Sequence, residues 1–127
     1  MNECRILVVD EQMLQSDDPA IKEAEYIIIK AGTTSLGKGF AECRKLLGIE
    51  IPDSVTDLGW GTFMNCISLV RVKIPKHVRK IGWWLFWGCQ SLTQVYIPSG
   101  VTEIGNRAFI GCVNLRHLNI PESVKTV

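Results

Sequence analysis

Four cysteines of this chain, Cys43, Cys66, Cys89 and Cys112, stand 23 residues apart each time, and any fold has to satisfy that spacing. Self-similarity at a fixed period of about 20–50 residues marks units that stack, because one short unit cannot bury its own apolar side chains. Residues 51–73 read IPDSVTDLGWGTFMNCISLVRVK, residues 74–96 read IPKHVRKIGWWLFWGCQSLTQVY, and residues 97–119 read IPSGVTEIGNRAFIGCVNLRHLN. Nine places recur in register: Ile51, Pro52, Val55, Leu58, Gly59, Phe63, Cys66, Leu69 and Val72 in the first copy. Their equivalents run from Ile74 to Val95 in the second copy and from Ile97 to Leu118 in the third. A further copy begins in phase at Ile120 and reads IPESVKTV to Val127. Upstream, residues 29–50 carry Leu36, Gly37, Phe40, Cys43, Leu46 and Ile49 in the same order with one residue missing, a degenerate copy. Extending the phase backwards puts Ile6, Met13, Ile21, Ala24 and Ile27 on inward places but Asp18 where the Phe belongs. Residues 1–28 are therefore expected to form an irregular N-terminal coil or cap.

Each unit has its own internal logic. From Leu69 to Ile74, and in the two equivalent segments, apolar and polar residues alternate, the pattern of a strand with one buried face. Pro52, Pro75, Pro98 and Pro121 then end the strand, since proline has no N–H for the ladder. A second short extended piece leads to Gly59, Gly82 or Gly105, where the chain is expected to turn with glycine's backbone freedom. A compact turn around Phe63, Phe86 or Phe109 closes onto the Cys and the next Leu.

The unit IPxxVTxIGxxAFxGCxxLxxVxI resembles the leucine-rich repeats of the BspA-like class, and Ile97–Asn119 matches it at nearly every marked place. The resemblance covers residues 29–127. It implies a strand-rich α/β fold, a right-handed curved leucine-rich-repeat solenoid with a parallel sheet on its concave side. It also implies binding of other macromolecules, often at cell surfaces.

Composition narrows the function classes. Fourteen Lys and Arg against thirteen Asp and Glu leave a net charge of +1, too little for a global attraction to nucleic acid or anionic lipid. The opening stretch holds only Ile6–Val9 as an apolar run before Asp10, shorter than the core of a secretory signal, and no run approaches the 18 or so residues of a membrane-spanning helix. A soluble, cytoplasmic protein is expected, with no membrane or nucleic-acid partner. Free thiols fit the same reducing compartment.

The cysteine column invites a metal or redox reading, but the period argues against it. Equivalent places in successive coils form a line at about 4.8 Å spacing, whereas zinc at about 2.3 Å needs a tetrahedron of thiolates. Parallel side chains at coil spacing also exceed the Cβ separation of about 3.8 Å that a disulfide uses. Buried Cys acting as a small hydrophobe is the expectation, with no metal and no cofactor.

The tryptophans say more about function. Trp60 and Trp83 share a unit place that Asn106 fills in the third copy, and Arg107 fills the place of Trp84 there, so solvent is tolerated. Trp60, Trp83 and Trp84 are expected to form an exposed apolar patch on the side away from the sheet, of the kind that marks protein contacts. The plainer alternatives are cover by the N-terminal segment or packing beside the Phe column. Trp87 takes the place of Met64 and Ile110 and is expected to be buried.

The concave strands would project Glu50, Lys73, Tyr96 and Asn119 in one row and Gly48, Arg71, Gln94 and His117 in the next. Arg71, Lys73 and Tyr96 are the side-chain types that dominate interfaces, although a solvated polar face accounts for the same rows. Lys76, His77, Arg79 and Lys80 make one copy basic, but Asp57 and Glu103 stand at the place of Lys80 in its neighbours, so no basic groove is sustained. His77 and His117 have no partners at ligand spacing. The segment Arg5–Gln12 (RILVVDEQ) resembles the first strand of response-regulator receiver domains, but the 23-residue period leaves no place for the alternating helices such a domain needs.

No nucleophile–base pair, phosphate loop or carboxylate dyad is visible. The expected function is a non-enzymatic protein-binding module acting through the concave strands, the Trp side or both. The alternative is a self-associating structural solenoid, a homo-oligomer pairing end to end through an uncapped C-terminal coil, because an uncapped end exposes core and strand edge.

Overall fold

The computed structural model describes residues 4–125. Eight strands and two short helices follow in order among them: β1 Ile6–Val9, α1 Glu11–Ser16, α2 Ala20–Glu23, β2 Tyr26–Ile29, β3 Gly48–Glu50, β4 Arg71–Lys73, β5 Lys80–Ile81, β6 Gln94–Tyr96, β7 Glu103–Ile104 and β8 His117–Leu118. Every pairing is parallel. One face carries β1-β2-β3 and then β4-β6-β8, with the Val70 N–H donating to Leu47 O at 3.1 Å where the two triplets meet. Val72, Val95 and Leu118 lie in register with their side chains inward, as do Leu7, Ile27 and Ile49. A second, shorter ladder joins β5 to β7 and continues as a bridge between Ser35 and Asp57. The chain is thus a strand-rich parallel solenoid.

Local sequence explains the corners. After each long strand the proline carbonyl accepts the N–H of the valine three residues on, as in Pro75–Val78 at 3.2 Å and Pro98–Val101 at 3.2 Å. Past the second ladder, Phe63, Cys66 and Leu69 are linked by two successive three-residue turns, Cys66 N–H to Phe63 O at 3.1 Å and Leu69 N–H to Cys66 O at 3.2 Å. The same turns donate to the next coil, Phe63 N–H to Leu85 O at 3.0 Å and Phe86 N–H to Ala108 O at 2.8 Å. Backbone groups are therefore paired between coils in the turns as well as in the strands, which removes the large cost of burying them unmet.

Two sequence expectations change at the level of the coil. Residues 1–28 were expected as an irregular N-terminal coil or cap; in their described part Ile6–Val9 forms a strand that pairs with β2 in the common sheet, so the segment is a coil, but its phase differs from the one expected. Only 20 residues separate Leu7 from its partner Ile27, and two short helices replace the usual turns. A fixed 23-residue phase therefore slips by three here, so Val9 is the buried partner of Ile29 while Ile6 faces outward at 62% exposure. Ile21, Ala24 and Ile27 are buried as the pattern required. Asp10 caps α1, its Oδ1 accepting the Met13 N–H at 2.9 Å.

The second change concerns glycine. Gly59 has φ +77°, but Gly82 and Gly105 are not in the left-handed region. What they supply is closeness: a Cβ on Gly82 would lie 2.1 Å from Gly59 O, and one on Gly105 would lie 2.7 Å from Trp83 N. Successive coils touch backbone to backbone along this column.

Phe40, Phe63, Phe86 and Phe109 form one interior stack, with ring centroids 5.9, 5.5 and 5.6 Å apart and interplanar angles of 9, 6 and 13°. Beside it runs the cysteine column. Cys66 Sγ donates to Phe40 O at 3.0 Å, Cys89 Sγ to Phe63 O at 3.1 Å and Cys112 Sγ to Phe86 O at 3.1 Å. Each thiol thus bonds the preceding coil as well as filling space. Burial pushes Cys43 and Cys112 up to about 11 and Cys89 up to about 12, and Cys66, buried between two other thiols, is raised furthest.

Replacing Phe86 by Ala removes the middle of the stack and is expected to cost about 3–5 kcal/mol, read as a lower urea midpoint. Gly82→Ala is expected to destabilise strongly, whereas Gly100→Ala, whose nearest neighbour would be 3.4 Å away, should be nearly neutral. The thiols set an alkaline limit. Their folded-state pKa lies above the ordinary 9.0, so the stabilisation is fully present below pH 9 and is lost as pH rises towards 11–12. Urea titrations should show stability falling between pH 9 and pH 11–12 by up to about 1.4 kcal/mol per pH unit for each buried thiol. Cys89→Ala should reduce the slope by one thiol's share, and an unchanged slope would mean that the Cys89 thiol already meets water.

Candidate interaction surfaces

The repeat generates two outward surfaces. On the long-strand face, β4, β6 and β8 place Arg71, Gln94 and His117 in one register column, and Lys73 and Tyr96 in the next. All five are exposed, Tyr96 by 50%. Gln94, Tyr96, Arg116 and His117 line a shallow hollow at one end of this face. Asn119, expected among the projecting residues, is exposed but committed to the fold. Its Nδ2 donates to Ile97 O at 2.7 Å while its Oδ1 accepts the Ile97 N–H at 3.1 Å. The side-chain amide thereby does for Ile97 what the Tyr96 carbonyl does for the Ile74 N–H, at 3.0 Å, one coil earlier. Asn119 belongs to the ladder and not to a free binding row.

The second surface is aromatic. Trp60 is 48% exposed and Trp83 58%, with Trp84 half-buried between them. Trp84 meets Trp60 edge to face at 5.7 Å between centroids and Trp83 at 6.2 Å, the geometry that ring quadrupoles favour. Lys38 Nζ sits 3.5 Å from the Trp60 ring centroid, a cation–π contact. Asp57 and Lys80 of the second ladder line the same groove. The described part of the N-terminal segment forms a coil of the sheet and does not line this groove. Trp84 has φ +57°, at a place where the neighbouring coils put Gly61 at +64° and Arg107 at +60°. The fold imposes a left-handed residue there, which a Trp side chain does not favour.

Trp87 departs from expectation: it is 40% exposed instead of buried. Its equivalents explain why, since Ile110 is 49% exposed and Met64 only half-buried. The interior beside the turn is already filled by Phe86 and Leu85, both fully buried, so the residue after Phe is turned outward. Trp87 thereby extends the aromatic ridge into a second hollow with Met64, Trp84, Arg107 and Ile110.

The charged residues singled out in the sequence do not assemble into a reactive site. Lys76 pairs with Asp53 at 3.7 Å on the surface, and Lys80 lies in register with Glu103, so the basic run of that coil meets carboxylates on either side. Asn65 donates to Glu42 Oε2 at 2.6 Å, and with Arg44 at 2.8 Å it holds that carboxyl below its ordinary range, a tie between coils. His77 and His117 are exposed. Among the described residues no group of three or more His, Cys, Asp or Glu is placed to hold a metal ion, and no helix is long and apolar enough to cross a membrane.

Solved structures share this architecture. A leucine-rich repeat protein from Bacteroides ovatus ATCC 8483 superposes with a TM-score of 0.72 at 36% identity, over 75% of this chain and 25% of that one. The T. pallidum leucine-rich repeat protein gives 0.65 at 26% identity, over 94% of this chain and 66% of that one. A leucine-rich cell surface protein from Faecalibacterium prausnitzii A2-165 gives 0.56 at 30% identity, over 73% and 31%. This chain therefore spans a quarter to two thirds of the length of these structures. No curated protein matches it significantly. The family described as BspA type leucine-rich repeat region (6 copies) matches residues 21–127, and the chain belongs to that family.

Proposed function

We propose that this chain acts as a protein-binding module, with the Trp ridge as its principal contact and the long-strand face as a second one. The observation that carries this reading is the placing of Trp60, Trp83 and Trp84 where other coils accept Asn106, Arg107 or Gly61. The core gains little from aromatic rings at such places, and Trp84 stands where the backbone disfavours it. Rings kept against local preference, exposed and packed on one another, are the anchors that dominate protein interfaces. Catalysis has no comparable support: the described residues include no group of three or more His, Cys, Asp or Glu placed to hold a metal ion.

Compartment follows less directly. The expectation of a cytoplasmic protein leaned in part on free thiols, but Cys43, Cys66 and Cys89 are sealed in the core and would survive in an oxidising setting equally well. The Faecalibacterium relative is described as a cell surface protein, and a surface role for this chain is proposed on that likeness.

End-to-end self-association is the second reading. It is favoured by the last full coil, where Phe109, Cys112, Leu115 and Leu118 are half-buried although their equivalents in the preceding coil are fully buried, and where Ile120 is 51% exposed.

The triple variant Trp60→Ser, Trp83→Ser, Trp84→Asn should still fold, unfolding in one cooperative urea transition. It should lose capture of a wild-type-bound protein by at least tenfold, about 1.4 kcal/mol. Equal capture by the two proteins would remove the ridge from the function. Light scattering from tens of micromolar downward tests the second reading: a concentration-dependent mass abolished by Ile120→Lys supports it, and a constant monomer mass ends it.

A further inference from the structure

We infer that the long-strand face binds an extended acidic protein segment that carries an aliphatic side chain three or four residues away from its carboxylates. The inference rests on the interaction-module reading but concerns a surface separate from the Trp ridge.

The outward side chains of this face change character along the solenoid. On the first two rungs they are apolar: Ile6 is 62% and Val8 55% exposed, in register with the half-buried Tyr26 and Ile28. On β4 they are Arg71 and Lys73, and beyond them come Gln94, Tyr96 and His117. Rungs stack at about 4.8 Å, so β4 lies about 10–14 Å from the two apolar rungs, the reach of three or four extended residues.

The cations on β4 lack internal partners. Arg71 follows Gly48 in its column and is paired in register with Gln94, neither of which carries charge. The Tyr26 ring lies over Gly48, where a Cβ would come within 2.6 Å of it, so that place is closed to a side chain. Lys73 has Tyr96 on one side and Glu50 at the equivalent place on the other, and neither Lys73 nor Arg71 has a carboxylate within 4.0 Å among the described residues. Glu50 repels a second carboxylate from its own column and so directs an incoming acid towards Arg71, whose planar guanidinium can hold it through two hydrogen bonds.

Charge complementarity therefore calls for carboxylates at β4, and the apolar rungs call for an aliphatic anchor. A nucleic acid meets only the first demand, and it needs cations sustained over several coils, whereas here they occupy one.

The test uses 12-residue Ser/Thr-based peptides and fluorescence anisotropy at low salt. The first peptide carries a Leu followed four residues later by Asp-Xaa-Asp; in one control the Asp residues become Lys, in another the Leu becomes Ser, and oligo(dT) serves as a polyanion without an anchor. The first peptide should bind at least about tenfold tighter than each of the other probes, and its binding should weaken with added salt. The folded double variant Arg71→Glu, Lys73→Glu should prefer the Lys peptide, and the milder Arg71→Gln, which places at this position the amide already tolerated at Gln94, should lose most of the preference for Asp. Equal binding of the peptides, oligo(dT) binding as tightly as the acidic peptide, or a charge-reversed variant that still prefers Asp would overturn the inference. Failure here while capture still depends on the Trp ridge overturns this assignment alone; loss of both overturns the module reading.

Discussion

The distance between coils governs everything else in this molecule. It is set where backbone meets backbone, along Gly59, Gly82 and Gly105, because no side chain fits between one coil and the next at that column. Once coils lie that close, residues 23 apart become neighbours, and each recurrent side chain meets its own copy. Phenylalanine suits such a constraint. Its rings stack nearly parallel, at centroid separations of 5.5–5.9 Å that are larger than the strand spacing of about 4.8 Å, so the rings are offset in the way their quadrupoles prefer. Cysteine suits it too, being small enough for the column and able to donate a hydrogen bond to the carbonyl of the coil before.

Because every coil satisfies its neighbours' backbone groups on several sides, the fold asks little of side chains that point outward. In a globular domain an exposed residue often supports some distant contact. Here its effects are confined to adjacent coils, as expected of a quasi-one-dimensional structure. That separation allows Trp and Asn to alternate at one place, and Gly, Trp and Arg at the next, without disturbing the core, and it makes departures from the repeat informative. Asn119 is the counterexample: its amide replaces a main-chain ladder bond, so a residue that looks free by its place in the pattern is bound to the fold.

Much of this was legible in the sequence, and the failures have physical causes. The Phe and Cys columns and the strands that end at proline follow from the period alone, since a stacked unit leaves those places no alternative, whereas the period left Trp60 and Trp83 open between an exposed patch and a covered or packed place, and they are exposed. The first coil was misread because its length is 20 residues, and a phase carried back at 23 puts Ile6 where Val9 belongs. Trp87 was assigned to the interior on the apolar character of Met64 and Ile110, although apolar residues on a turn are frequently exposed when the space beneath is filled. The glycines were credited with left-handed freedom, whereas Gly82 and Gly105 are required by proximity, which a pattern of residues does not distinguish from a turn. The thiol bonds were missed for a similar reason: the strict recurrence of Cys, where Ala would fill space nearly as well, was their signal.

The two outward surfaces differ in what holds them ready. The Trp ridge is organised before any partner arrives, since the rings pack edge to face on one another and Lys38 lies over one of them. Binding there immobilises few rotamers, and the gain comes from removing apolar area from water. The long-strand face has its outward residues fixed in register by the ladder, but Arg71 and Lys73 end in mobile cationic groups whose attraction is screened by salt. Such charges contribute to the rate and orientation of encounter more than to lifetime, whereas buried aromatic anchors slow dissociation. The proposed module would thus separate finding a partner from holding it, and the solenoid permits this because changing one surface leaves the backbone ladders beneath the other intact.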